Sequence, residues 1–287
     1  MLKFIAPEVW SFDAEWIPDV ATGRRVYDLA EAATDDEVLR HMWSAGGATE
    51  EAPQPYLKTV LCRVVSVAVV IRKCDETGTV SLKLHSLPPT DTPGLDEREL
   101  IDRFLSAIGK AKPQLVGFNS LSADLPILIQ RAIVNGVTSP RFCARPGKPW
   151  EGVDYFSKAS DYSIDLKDEL GSWGKGTPSL HEIATASGIP GKIDTSGHDV
   201  VQLWREGKID RIVQYNECDA LTTYLLWLRL AHLSGLLGTG AYLDEQAQLE
   251  SYLTTLVASS AKSHIEAFLA RWRQLRSLTS QPPRSAA

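Results

Sequence analysis

Residues Val60 to Arg72 read VLCRVVSVAVVIR, with valine and isoleucine on both alternating faces. A strand covered on one side alternates apolar and polar residues, whereas a run that is apolar on both faces belongs in a sheet buried on both sides. Such a sheet needs helices to cover it, and the flanking sequence supplies them. Downstream, Asp75–Gly78 is a turn and Val80 to Leu87 a shorter strand, so the two strands form a hairpin. Leu95 to Ala111 places leucine and isoleucine at helical spacing and stops before Pro113. Leu115–Phe118 then reads as a strand, and a helix runs from about Asp124 to Asn135, closed by Gly136. Ile164 sits in another short strand, and helices follow near Ser179–Ser187, over Ile209–Leu233 and from Tyr242 to about Leu278. Upstream, Glu8 to Trp16 reads as a strand that Ile17 does not continue. Gly23–Tyr56 reads as a partly helical insertion whose helix is Asp35 to Trp43. Three strands, a helix, a strand, a helix and a further strand define an α/β fold with a mixed sheet. One domain over residues 1–278 is expected, with a disordered tail at 279–287.

A chain of 287 residues buries roughly three quarters of its unfolded surface, enough for a core without staples. With 30 basic and 36 acidic residues the net charge is −6, which disfavours a protein that coats duplex DNA through bulk charge. Chemistry on a nucleic acid strand at a compact metal site stays open. The four cysteines contain no Cys-x-x-Cys pair, against zinc ribbons and thioredoxin-like redox chemistry, and four thiols in a chain this long fit a reducing compartment. Glu8, Asp13 and Glu15 interrupt any secretory apolar core near the start. The most apolar long stretch, Ala220 to Gly238, carries Arg229 and His232 and reads as a buried helix, not a membrane span. A cytoplasmic protein without a membrane anchor is the expectation.

Three segments carry candidate chemistry. Asp13 and Glu15 stand two apart on the first strand, so both leave one face while Trp10, Phe12 and Ala14 enter the core from the other. Two carboxylates about 4 Å apart repel by roughly 4 kcal/mol at an effective dielectric of 20, so a half-buried pair calls for a cation between them. In GFNSLSADLP, Asn119 ends a strand and Asp124 opens a helix, with Pro126 in the first turn. Asp124 and Ser122 are also good helix caps there. In YNECDALTTYLL, Tyr215 and Asp219 are four apart and share a helix face beside the stripe Cys218, Leu221, Leu225 and Leu228. Each segment alone has an ordinary structural explanation: solvated acids, a cap, an inert helix flank.

Taken in order, FDAEWIPD, GFNSLSADLPIL and YNECDALTTYLL resemble the DEDD superfamily of 3′–5′ exonucleases in its tyrosine-bearing branch. They are most similar to predicted exonucleases related to the proofreading domain of family B DNA polymerases. GKPW, GIPGK and HIEAFLARW extend the likeness over nearly the whole chain. The sibling branch would need histidine five residues before the last aspartate, where this chain has Gln214. The chain also has Ala123 where an aromatic often precedes the third acid, and Ser163 where histidine is usual.

The resemblance implies a ribonuclease H-like fold with additional C-terminal helices. It makes Asp13, Glu15, Asp124 and Asp219 the metal-site carboxylates and Tyr215 the residue that orients the attacking water. It also implies two divalent cations, Mg²⁺ or Mn²⁺, and a single-stranded 3′ end of DNA or RNA as partner, shortened to 5′-mononucleotides. Hard oxygen ligands suit those ions, and the ions in turn relieve the repulsion among the acids. The acid cluster alone does not say where a strand is cut. An endonuclease of the same fold, or a binding module that has lost catalysis, would carry the same residues.

Secondary candidates are Lys192, Arg145 and Lys148 for substrate phosphates, Trp150, Tyr155 and Trp16 for stacking on bases, and Asp165 as a cap or a support of the site. GSWGKGT at Gly171–Thr177 imitates a phosphate loop but has the wrong spacing, and the six histidines show no ligand spacing.

Overall fold

A computed structural model describes residues 2–89, 94–158, 160–171, 176–192, 200–260 and 262–279. The core of the GSWGKGT stretch and the expected tail beyond Thr279 lie outside the described residues.

The strands are β1 (Glu8–Pro18), β2 (Cys62–Cys74), β3 (Val80–Leu87), β4 (Gln114–Gly117) and β5 (Ser163–Asp165). The helices, in chain order, are α1 (Val20–Val26), α2 (Asp35–Ala45), α3 (Glu97–Ala111), α4 (Asp124–Val134), α5 (Pro140–Cys143), α6 (Leu166–Glu169), α7 (Leu180–Ala186), α8 (Val200–Arg205), α9 (Ile209–Leu233), α10 (Thr239–Ser260) and α11 (Ser263–Thr279). Sheet order is β3-β2-β1-β4-β5. The first three strands pair antiparallel, and β4 and β5 join them parallel. This is the expected α/β, ribonuclease H-like mixed sheet with flanking helices.

The valine-rich strand is buried on both faces because two separate cores meet on it. Val67 and Val69 point to a core shared with Trp10, Phe12 and Ala14 under α3 and α4. Ala68 and Val70 point to a second core with Val9 under α9, α10 and α11. Alternation along β1 therefore leaves Asp13 and Glu15 on the α9 side. No helix among the described residues is long and apolar enough to cross a membrane.

Strand β1 runs two residues past its expected end. A bulge between Glu15 and Trp16 shifts the register, after which Ile17 pairs with Arg63 and Pro18 with Cys62. Such a bulge turns the strand without ending it. Ile17 is fully buried and joins Val200 and Ile212 in a small cluster on which Tyr215 packs.

The insertion also begins earlier than expected. Asp19 caps α1 by accepting from Ala21 and Thr22 amides. Gly23 lies within α1 as a close contact, since a Cβ there would lie 2.3 Å from Met42 Sδ of α2. Thr34 and Glu37 form a capping box at the start of α2. Val38, Leu39, Met42 and Trp43 then build a small core with Leu61.

Both roots of the insertion are fastened by one buried side chain. Arg131 of α4 donates to Asp19 Oδ2 at 2.7 Å and to Glu97 at 2.6 and 2.8 Å. It also reaches Thr22 Oγ1 at 3.2 Å and the Val60 carbonyl at 3.4 Å. The C-terminal helices are tied similarly. Arg72 of β2 donates to Glu245 of α10 at 2.5 and 3.0 Å, and the Tyr224 hydroxyl donates to the same carboxylate at 2.6 Å. Glu217 of α9 accepts from Ser86 Oγ at 2.8 Å and Lys262 Nζ at 2.8 Å, and lies 2.7 Å from His264 Nε2.

Removing one member of such a cluster strands charged partners away from water. Arg131→Met should lower unfolding free energy by about 3–5 kcal/mol, measured by urea denaturation. A loss within the few tenths typical of an exposed substitution would show that the clamp carries no such weight.

Candidate active site

The site forms where the sheet runs out of neighbours. Strand β4 pairs with β1 only over Val9–Ser11, so the next stretch of β1 projects beyond it, at the carboxyl end of the parallel strands, where open α/β sheets place their ligand crevices. The freed amide of Ala14 donates to Asp124 Oδ1 at 3.0 Å. Asp124 therefore does not cap its helix: Ala123 holds the cap position, without a side-chain hydrogen bond.

That strand-to-helix turn is held by Asp165. Its carboxylate accepts from the amides of Asn119 at 2.8 Å, Leu121 at 3.0 Å and Lys167 at 3.0 Å. Asn119 takes a left-handed conformation, φ 64°, which asparagine tolerates better than most residues. Asp165 is thus the cap of α6 and also the organiser of the loop that presents Asp124.

Asp13, Glu15 and Asp219 converge, each offering a carboxylate oxygen, with those atoms all within 4.8 Å of one another. Asp124 adjoins this trio without joining it. Its field acts on both Asp13 and Glu15. The four sequence-expected acids and Tyr215 line one cleft of about 990 Å³.

The electrostatics follow from burial of like charges. Desolvation first, then the charges of Asp124, Glu15 and Asp219, hold the Asp13 carboxyl well above the usual range. Glu15 is raised by desolvation and by Asp219 and Asp124, against a lowering by Lys192. Burial pushes Asp124 to about 7, opposed by the hydrogen bond from Ala14. Asp219 rises to about 6 through burial, opposed by the Tyr215 hydroxyl and by Lys192. Burial and the neighbouring acids raise Tyr215 itself, so its hydroxyl stays protonated and donates to Asp219.

The secondary candidates divide. Trp16 and Lys192 line the cleft. Tyr155 does not stack on a ligand: it is buried against Phe142, and its hydroxyl donates to the Pro113 carbonyl at 2.7 Å. Arg145 pairs with Asp154 and Lys148 with Glu151, and neither lines the cleft. Trp150 is 69% exposed, beneath the Lys148 ammonium, and also lies off the cleft. A further wall comes from the insertion: residues 51–57, including Pro53, Pro55 and the exposed Tyr56, line the cleft. Its sequence signal is the Pro-Gln-Pro-Tyr run, which favours an extended strap over a turn.

A family model described as "Predicted 3'-5' exonuclease related to the exonuclease domain of PolB" matches residues 54–272. No curated protein matches the chain. Asp124, Tyr215 and Asp219 fall inside the matched span, and Asp13 and Glu15 precede it on β1, which the sheet joins to the rest. The match covers most of the 287 residues, and the chain belongs to this family of predicted 3′–5′ exonucleases related to the exonuclease domain of PolB.

Proposed function

We propose that the protein is a metal-dependent nuclease that removes nucleotides from the 3′ end of a DNA or RNA strand. The observation that carries this reading is the meeting of Asp13, Glu15 and Asp219 within 4.8 Å, with the Tyr215 hydroxyl on Asp219.

The donor set fits divalent cations. It is all hard carboxylate oxygen, which suits Mg²⁺ or Mn²⁺, and its members are crowded enough to resist ionising together. Asp13, Glu15 and Asp219 would hold the ions, with Asp124 as an adjoining ligand or an acceptor from bound water. When bound, two such ions relieve charge on the phosphate and leaving oxygen and make water more acidic.

The chain's own groups do the positioning. One oxygen of Asp124 is fixed by the Ala14 amide, which leaves the other to accept from water. The Tyr215 O–H donates a hydrogen bond to Asp219 and stays protonated, and the phenol oxygen keeps lone pairs that accept from the attacking water. Its ring is set by packing on Ile17, Val200 and Ile212. A neutral phenol in this setting aims the nucleophile and does not serve as its base. Water attacks the terminal phosphorus, the bond from phosphorus to the penultimate 3′ oxygen breaks, and that oxygen leaves as a hydroxyl. The products are a 5′-mononucleotide and a strand one residue shorter.

With a 5′-labelled oligomer, Mg²⁺ or Mn²⁺ should yield a ladder that shortens from the 3′ end and stops with chelator. Asp13→Asn should reduce the rate by about 10³-fold or more, the loss of several kcal/mol of charge stabilisation. Tyr215→Phe should cost about 10²–10³-fold in kcat, the scale of one oriented hydrogen bond. Internal cuts, or indifference to a blocked 3′ end, would overturn the exonuclease reading.

A stability measurement tests the acid cluster separately. The metal-free acids bind protons more tightly folded than unfolded, so their contribution is fully present below about pH 4. It is lost as pH rises through the folded values, about 6 for Asp219 and about 7 for Asp124. In chelator, Asp13→Asn should therefore gain Tm relative to wild type between about pH 5 and about pH 8. Adding Mn²⁺ at the upper pH should raise the wild-type Tm more than the variant's. A wild-type Tm unmoved by Mn²⁺ would contradict the metal assignment.

A further inference from the structure

Loop 188–192, GIPGK, joins α7 toward α8 and is fastened at successive residues. Ile189 is buried in the core beneath α9. The Pro190 carbonyl accepts from Thr222 Oγ1 at 2.8 Å, and Thr222 lies three residues after Asp219 on α9, about one turn along. The Lys192 amide donates to His181 Nδ1 of α7 at 3.0 Å. Gly191 lies so close to that imidazole that a Cβ would sit 2.3 Å from Nδ1. A loop pinned to the helix of Asp219 and to α7 holds the backbone of Lys192 in a fixed place.

Lys192 is exposed on the wall of the cleft that also holds Asp13, Glu15, Asp219 and Tyr215. Its charge acts on Glu15 and Asp219. Lys167 also lines the cleft, but its ammonium is engaged by Asn119 Oδ1 at 3.0 Å; Arg145 pairs with Asp154 and Lys148 with Glu151, both off the cleft. Once divalent ions balance the acids, an ammonium carried on this pinned loop faces whatever anion enters. We infer that Lys192 is a substrate-binding residue that contacts a backbone phosphate of the strand held in the cleft. The inference rests on the nuclease reading above and adds to it a phosphate contact on the GIPGK loop.

The test uses the full chain with Mg²⁺ and a 5′-fluorescein single strand whose 3′-terminal linkages are phosphorothioates, titrated over a series of NaCl concentrations. Lys192→Met should weaken binding and make the slope of log affinity against log salt shallower by up to about 0.7, one phosphate contact on a single strand. Lys192→Arg should restore the slope, and Tm should match wild type in both variants. On unmodified strands at low salt, Lys192→Met should lower kcat/KM about 10- to 100-fold, mainly through KM.

An unchanged slope overturns the assignment, whatever happens to the rate. If the lysine only offsets the charge of Glu15 and Asp219, Lys192→Met would bind Mn²⁺ more tightly with the slope unmoved. A wild-type protein that neither binds nor shortens strands removes the nuclease reading and this contact together. A wild type that does both, beside an indistinguishable Lys192→Met, removes the contact alone.

Discussion

Like charges do not gather in a half-buried pocket without a reason, and the structure is arranged around that cost. Strand β1 contributes two acids, the start of α4 a third, and α9 the fourth. Each is raised above the ordinary carboxylate range by burial. Hydrogen bonds offset only part of this: Ala14 supports Asp124 and Tyr215 supports Asp219. Such an arrangement is unfavourable for the isolated fold and favourable for a fold that captures cations. On the proposed reading, that difference ties stability to function at this site.

The scaffold answers with buried ionic clusters away from the cleft. Arg131 bonds to residues on both sides of the insertion, Arg72 ties α10 to the sheet, and Glu217 ties α9 to β3 and the start of α11. Here opposite charges meet. Lys262, His264 and Ser86 hold the Glu217 carboxyl down at about 2 against its burial. Glu217 is two residues from Asp219, so a single turn of one helix carries an acid paired with cationic groups on one side and an acid facing the cleft on the other. Side-chain direction on α9 separates the two roles.

Much of this was legible because it rests on period and spacing. The double-faced run at β2, the acids two apart on β1 and the pair four apart on α9 each fix a face, and the structure keeps those faces. What escaped depends on contacts distant in sequence. The extension of β1 to Pro18 needs a bulge and a seat for Ile17 beneath α8 and α9, neither visible locally. That Gly23 sits inside a helix, packed against Met42, is likewise not visible locally. Asp124 has the sequence signature of a cap, yet the unpaired amide of Ala14, 110 residues earlier, claims its side chain. Tyr155 and Arg145 looked available for a ligand, but a neighbouring carbonyl and Asp154 already occupy them.

The single guanidinium that grips both ends of the segment between β1 and β2 has a structural corollary. With its two feet locked to α4, that segment becomes a modular appendage whose interior can lengthen, shorten or be exchanged while the strands beneath keep their pairing. Each doubling of such a closed loop costs only about 0.6 kcal/mol. Because its far portion supplies the strap along the cleft, a change confined to that portion would remodel the mouth of the crevice without disturbing the carboxylates at its floor.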